Sequence, residues 1–467
     1  MHETFNFLGD KVHGGDLRMD ITKRVANFVV QTEYNNLPLD VVKVAKAAFI
    51  DCLGVTLAGS SEQSATICAQ IVRQEEAISE ATVIGHGFKS SAAQAAFANG
   101  TAAHALDFDH TVYLGQPTSA LIPALISVGE SLGARGRDLL EAYVAGFEAA
   151  TKIAKSIPRK GRGEWHSAGT VGTLGASLSC ARLYRLDANK VRMALGIATS
   201  MASGIACNYG TMTKPLDVGL AARNGVVSAK LAQEGYTANP TALESEAGFY
   251  KAFLLLPPYA APLEGLGQSY ELTTGIKFKN YPCGGLTHPA IDAVLELRSS
   301  HGIVAQTVES IEVEVPKHTY KRIAIQIPQT GLEGKFCMGY IVARALMDGK
   351  VSLDAFTDSA VRERPILELA RRVHMKPNAD LDEISESRPC KVSVFLKDGQ
   401  SFSRKVEHPR GSRQLPLFSQ ELRSKFAECA RRSIDERSIE AALEYLEGLE
   451  TAVDIRPLCQ LLMGREK

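Results

Sequence analysis

The sequence predicts a mainly α protein: a large all-helical domain followed by a smaller α+β unit, with the last helices returning to the first. Three observations lead there. From about Ile21 to Tyr250 apolar residues recur almost throughout at helical spacing. Near residue 265 the character changes, and two stretches alternate with period two, as half-buried strands do. The 467 residues are also about three times the ~150 of an ordinary domain, so two domains are the first expectation.

Taken in order, Leu39-Asp40-Val41-Val42 opens a helix whose Val41, Val44, Ala45, Ala48 and Phe49 fall on one stripe and which Gly59 ends. Further helices are expected at Ser91–His104, Ser119–Leu132, Asp138–Lys155, His166–Tyr184, Asp187–Ala202 and Leu216–Gln233. Small residues crowd their faces, among them Ala92, Ala95, Gly169, Gly172, Gly175, Gly219 and Gly225. Gly costs roughly 1 kcal/mol against Ala in a helix interior. Several in succession must be offset by close helix–helix approach or by backbone near a ligand, and tight packing accounts for most of them.

In the second block Ser310–Val315 and Lys391–Leu396 alternate as strands, and Asp398-Gly399 leads into Ser401–Val406 as a hairpin. Helical stretches lie between them at Pro289–Leu297 and Phe336–Leu346. Two closing helices, Ser419–Arg431 and Ile439–Gly448, are too amphipathic to stand alone and are expected to rejoin the first domain.

Composition excludes several function classes. Lys+Arg and Asp+Glu are each 52, so the chain lacks the basic excess that neutralising several phosphates requires. The densest basic stretch, Arg159 to Arg162, is short and is followed by Glu164, which argues against a nucleic-acid partner. The first residues, Met1 to Asn6, are polar and lack the order of a secretory signal. The longest apolar run, Ala252 to Leu263, is cut by Pro257 and Pro258 and falls short of the ~20 residues of a membrane span. Nine Cys without a CxxC pair or a zinc-ligand spacing to His read as reduced thiols of a cytoplasmic protein with no metal site. Nucleotide, zinc-protease and serine-hydrolase motifs are absent.

Five stretches concentrate polar residues in this apolar chain. The first is His104-Ala105-Leu106-Asp107-Phe108-Asp109-His110-Thr111, where a continuing helical turn would put Asp107 and Thr111 on one face. Read structurally, its acids cap the next helix and its histidines are solvated. The second, Glu164 to Thr170, places His166 where a glycine-rich helix begins, beside unpaired backbone N–H groups suited to anions. The positive helix end would hold that ring nearer its neutral, base-competent form; the alternative is a simple neighbour of the N-cap.

The third holds Lys214 before Pro215, then Arg223 deep in a helix of small apolar residues. A buried cation needs a partner, either an internal carboxylate or an acidic ligand. The fourth, Lys277 to Pro289, runs a basic strand containing Lys279 into Gly284-Gly285 and a helix start, at the boundary between the two blocks, where ligand clefts are favoured. Its Cys283 reads as a buried structural thiol rather than a nucleophile. The fifth, Gly331 to Tyr340, is a turn into a helix that could aim Tyr340 at the cleft. Lys, Arg, His, Asp and Tyr in a site without a cofactor motif suit binding a small polyanion and moving protons beside a carboxylate.

Taken in order, these stretches resemble the MmgE/PrpD family. The matching segments are AxxHALDFD ending at Asp109, WHSAGTxG at His166, GTMTKP…AARNG over Lys214–Gly225, FKxYPCGGxTHPAIDA over Lys279–Ala293 and TGLEGKFxxxY over Thr330–Tyr340. The resemblance runs from about residue 21 to 460. It implies an all-helical domain formed by residues 1–267 and 409–467, with an α+β lid domain inserted at 268–408. It also implies a homodimer without an organic cofactor and a small di- or tricarboxylate held in the interdomain cleft.

By the same resemblance Asp107 and Thr111 line the pocket and His166 transfers a proton. Lys214 and Lys279 grip carboxylates, with Arg223 helping them or holding Asp107, and Tyr340 is a pocket tyrosine from the lid. Two departures stand out. Members commonly read LDFDD where this chain has Asp109-His110, and the usual His-Pro-Ser/Gly is here Gln116-Pro117-Thr118. Glutamine can hydrogen-bond a carboxylate but cannot give or take a proton. A lyase, dehydratase or decarboxylase, is the leading expectation. An epimerase is the second, because it needs no departing group. A polycarboxylate-binding protein that has lost catalysis is the alternative of another class.

Overall fold

The computed structural model describes residues 20–113, 115–157, 164–253, 261–323, 325–381, 389–417 and 419–465. Its fold is mainly α, with nine of its helices following one another from Ile21–Gln31 to Thr213–Gln233. Between them runs a two-stranded hairpin, Ala81–Val83 with Phe88–Ser90. The expected helices appear at Leu39–Gly59, Ala92–Ala105, Thr118–Leu132, Gly136–Lys155, Ser167–Leu183, Ala188–Met201 and Thr213–Gln233. Local chemistry sets their ends. Ser91 Oγ accepts from the Gln94 amide, Asp187 accepts from the amides of Asn189 and Lys190, and Gly133 takes the left-handed conformation that stops Thr118–Leu132.

Ala92–Ala105, Ser167–Leu183 and Thr213–Gln233 form the centre of the helical body, and the small residues are what let them meet. A Cβ on Gly225 would lie 2.3 Å from the Ala176 Cβ and 2.7 Å from the Ala176 carbonyl carbon. Gly225→Ala is therefore expected to destabilise the protein by about 1–3 kcal/mol, the usual cost of overpacking. A denaturant titration checks this, and an unchanged midpoint would show that the two helices can separate without loss.

A second hydrophobic core lies between Tyr281 and Val406. Its four-stranded sheet has the order Val373–Pro377, Val308–Val315, Cys390–Leu396, Ser401–Val406; the first pair is parallel and the others antiparallel. Ile311, Val313 and Val315 alternate inward from the long strand, as its period predicts, and share the second core with residues of the helices His288–His301 and Met338–Asp348. Helix Ser419–Ala430 packs on Leu39–Gly59, where Phe426 would contact any Cβ on Gly54. The chain thus closes on the helical body. No described helix is long and apolar enough to cross a membrane.

Candidate functional site

The site is built around the turn that ends helix Ala92–Ala105. Asp107 has φ +52°, a left-handed conformation that Asp enters more readily than most residues but still at a cost of about 1–3 kcal/mol. Its surroundings hold it there. Lys214 Nζ lies 2.8 Å from Oδ1 and Lys279 Nζ 2.8 Å from Oδ2. Lys279 also donates to the Asp107 carbonyl at 2.5 Å.

Burial alone would raise the Asp107 pKa. The two ammonium groups, with His104 adding to them, reverse this and hold the carboxyl well below the usual carboxylate range. The same pairing holds Lys214 above its ordinary value against the desolvation that would lower it. Asp107 is an anion between two cations.

Beside this clamp stand two His–carboxylate pairs. His166, the N-cap residue of Ser167–Leu183, places Nδ1 2.9 Å from Asp217 Oδ2. This approach is possible because Gly169 lacks a side chain: a Cβ there would lie 2.6 Å from the Ser203 carbonyl oxygen and 3.2 Å from the Asp217 Cβ. With a carboxylate on Nδ1, that nitrogen carries the hydrogen and Nε2 is left for chemistry.

His104 repeats the arrangement. Its Nδ1 lies 2.8 Å from Asp109 Oδ2, which Ser119 also holds at 2.5 Å, while Nε2 is buried without a partner among the described residues. Burial pushes the His104 pKa down, while Asp109, buried as well, is held well below the carboxylate range by the His104 ring that it meets through Nδ1. The two imidazole centroids are 5.5 Å apart.

His166, Lys214, Lys279 and Asp107 thus lie in one neighbourhood. Thr111 pairs by its backbone with Lys277, and it lines, with Lys279, Gly285, His288 and Arg410, a cleft where the segment after Tyr270 enters the second core. Gly115 sits against Ser167, which places Gln116 in the loop next to His166.

One expectation is corrected and another is narrowed. Arg223 is half-buried and makes no hydrogen bond or ion pair with Asp107 among the described residues, because the two lysines occupy that carboxylate, so of its two expected roles holding Asp107 falls away. Tyr340 does not face the cleft. Its ring is fully buried in the second core, and its hydroxyl donates to the Ala355 carbonyl and accepts from Arg344 Nε at 2.9 Å. An apolar helix face pulled this tyrosine inward, where Arg344 answers its oxygen. A phenol that does adjoin the site is Tyr209, whose ring meets His166 edge-on at 5.2 Å. Cys283 is buried, and burial raises its thiol to about 12, the behaviour of a structural cysteine.

Sequence reasoning missed the partners. His104 appeared only as a solvated residue, and Asp217 and Lys335 were not singled out. Asp217 follows Lys214 by one helical turn, and His104 precedes Asp107 by three residues, so spacing could have suggested both. Lys335 lies within the fifth polar stretch, but nothing local shows that its side chain is buried.

A mainly helical body thus gathers buried ammonium groups, a clamped carboxylate and paired imidazoles, groups whose chemistry can hold an anion and move a proton. Models of the MmgE/PrpD N-terminal domain and the MmgE/PrpD C-terminal domain match residues 23–260 and 281–450. The chain belongs to the MmgE/PrpD family. Among known proteins it is similar to cis-aconitate decarboxylase of Mus musculus, 28% identical over 95% of this chain and 93% of that protein. The cis-aconitate decarboxylases of Homo sapiens and Aspergillus terreus are 27% and 26% identical, each over 95% of this chain and 95% and 96% of their own length.

Proposed function

We propose that the protein is a lyase that acts on a small di- or tricarboxylic acid without an organic cofactor, with decarboxylation of a substrate like cis-aconitate as the leading reaction. One observation carries this reading: two ammonium groups, Lys214 and Lys279, share the single carboxylate of Asp107, which leaves a positive charge for an incoming carboxylate. The likeness to cis-aconitate decarboxylases over nearly the whole chain supports it.

In this reading the substrate's carboxylates approach Lys214 and Lys279, with Thr111 and Gln116 at the edge. Loss of carbon dioxide leaves an electron pair on the adjoining carbon framework, conjugated with a remaining carboxylate. Ammonium groups already in place stabilise that charge, and removing one such donor typically costs ~2.7–4 kcal/mol of barrier. A proton must then reach carbon, and His166 supplies it from Nε2 while Asp217 stabilises the imidazolium through Nδ1. The proton returns to the ring from solvent.

Gln116 cannot exchange protons, so a dehydration that needs an imidazole there to help hydroxide depart is disfavoured relative to decarboxylation. It is also why the epimerase reading stays second rather than lower, since exchange of one proton requires no leaving group. Purified protein is incubated in deuterium oxide with cis-aconitate and related polycarboxylates and followed by proton NMR. Carbon dioxide release with one deuterium fixed in the product is expected. Deuterium entering a substrate without loss of water or carbon dioxide would select epimerisation. Thermal stabilisation by these acids with no turnover would select a binding protein.

A further inference from the structure

Three consecutive carbonyls of the Asp107 turn are each held by a different lysine. The Leu106 carbonyl accepts from Lys335 Nζ, the Asp107 carbonyl from Lys279 Nζ at 2.5 Å, and the Phe108 carbonyl from Lys425 Nζ at 2.9 Å. Two of these lysines have carboxylates as well: Lys279 has Asp107, and Lys425 has Asp51 at 2.6 Å. Lys335 has none among the described residues. Its neighbours are the Leu106 oxygen and the Phe356 ring, whose centroid is 5.3 Å from Nζ, and the residue is only 5% exposed.

Lys335 also differs in origin. It follows the short helix Gly331–Gly334, and its own carbonyl accepts from the Gly284 amide at 2.9 Å, so it belongs to the body built on the second core. Its side chain crosses to the helical body and ends beside the one residue of the turn with a left-handed backbone. An ammonium buried this fully with a neutral acceptor is unfavourable as packing alone.

We propose that Lys335 is a positioning residue: by holding the Leu106 carbonyl it fixes the turn so that Asp107 presents both carboxylate oxygens to Lys214 and Lys279, which makes the clamp depend on the second-core body being seated on the helical one. The proposal rests on the clamp reading above, but the position of the turn can be measured without turnover. The charge on Lys335 makes it sensitive to pH. Burial pushes its pKa down to about 8, with Asp107 and Glu62 pulling upward, Lys279 pushing further down, and the Cys283 thiol, itself at about 12, adding little below pH 9. Deprotonation weakens the bond to Leu106, so the site loosens as pH rises through about 8.

The test uses the full chain with Lys335→Met, which keeps the length of the stem, and Lys335→Arg, which keeps the charge. Affinity for tricarballylate, a polycarboxylate without a reactive double bond, is measured from pH 6.5 to 9.5, and amide hydrogen exchange is followed over residues 106–111. Wild-type affinity is expected to fall by about tenfold between pH 7 and pH 9, as the charged fraction of Lys335 falls. Lys335→Met is expected to bind at least about tenfold more weakly at pH 7, to lose that alkaline decline, and to exchange faster at 106–111 but not in helix Met338–Asp348. Lys335→Arg is expected to recover protection of the turn and to shift the decline to higher pH.

Wild-type affinity and pH dependence in Lys335→Met, or faster exchange spread equally into Met338–Asp348, would overturn the proposal. If the wild type neither binds tricarballylate nor turns over any polycarboxylate, the functional reading fails, and the exchange at 106–111 still decides the role of Lys335.

Discussion

Replacing His166 with glutamine is expected to lower kcat by about 10²–10⁴-fold while polycarboxylate affinity changes by no more than a few-fold, because in the proposed reaction His166 is the general acid, worth a factor of that size, and the ammonium groups supply the binding. The separation of effects follows from geometry. His166 is oriented by Asp217 and, among the described residues, makes no hydrogen bond or ion pair with Lys214, Asp107 or Lys279. Glutamine retains an N–H that can meet the Asp217 carboxylate, so the pocket keeps its shape and loses only the transferable proton. Steady-state kinetics with cis-aconitate and equilibrium binding of tricarballylate measure the two quantities. A variant with unchanged kcat would remove His166 from the reaction; one with equal losses in binding and turnover would make it part of the clamp instead.

Asp107→Asn is expected to have the largest effect on stability. Asn tolerates a left-handed backbone about as well as Asp, so the substitution removes charge and leaves the turn. Two buried cations then lose their common partner, and breaking a buried ion pair by deleting one member costs about 3–5 kcal/mol. Added polycarboxylate should restore much of that loss by taking the place of the missing carboxylate. A ligand at a hundred times its Kd adds about 2.7 kcal/mol. Thermal melts of wild type and variant, with and without tricarballylate, give the result. A variant as stable as wild type, or one that the ligand stabilises less than wild type, would show that the lysines are not held as a pair by Asp107.

The sign of the pH dependence follows from the same carboxylate. Its folded-state pKa is depressed, so the stability it contributes is fully present above its ordinary value near 3.8 and is lost as pH falls below it.

Much of the fold was legible because its strongest features are periodic. The helices from Leu39 to Gln233 carry small residues at helical spacing over many turns, and the strand Val308–Val315 alternates cleanly. Shorter or mixed elements were not legible. The hairpin at Ala81–Ser90 has strands of three residues, and Val373–Pro377 carries His, Lys and Pro, yet pairs in parallel with Val308–Val315 at the sheet edge.

The site divides along a similar line. His166, Lys214, Lys279, Asp107 and Thr111 lie in polar islands in an apolar sequence, and the fold brings those islands together. What could not be read was which groups answer one another. His166 finds Asp217 across 51 positions and Lys335 finds Leu106 across 229, and such pairings depend on helices approaching where glycine allows it. Tyr340 misled for the opposite reason: a polar group in an apolar helix can be satisfied locally, as its hydroxyl is by Ala355 and Arg344, without facing a cleft.

Lys425 reaches the Phe108 and Lys279 carbonyls from a helix close to the end of the chain, with Asp51 near its beginning as counterion. Three distant parts of the polypeptide are therefore pinned at a single ammonium nitrogen. A fragment ending before Ser419 would keep most of its helices but lose the tether beneath the Asp107 turn, so the two regions matched by separate family models are expected to depend on each other.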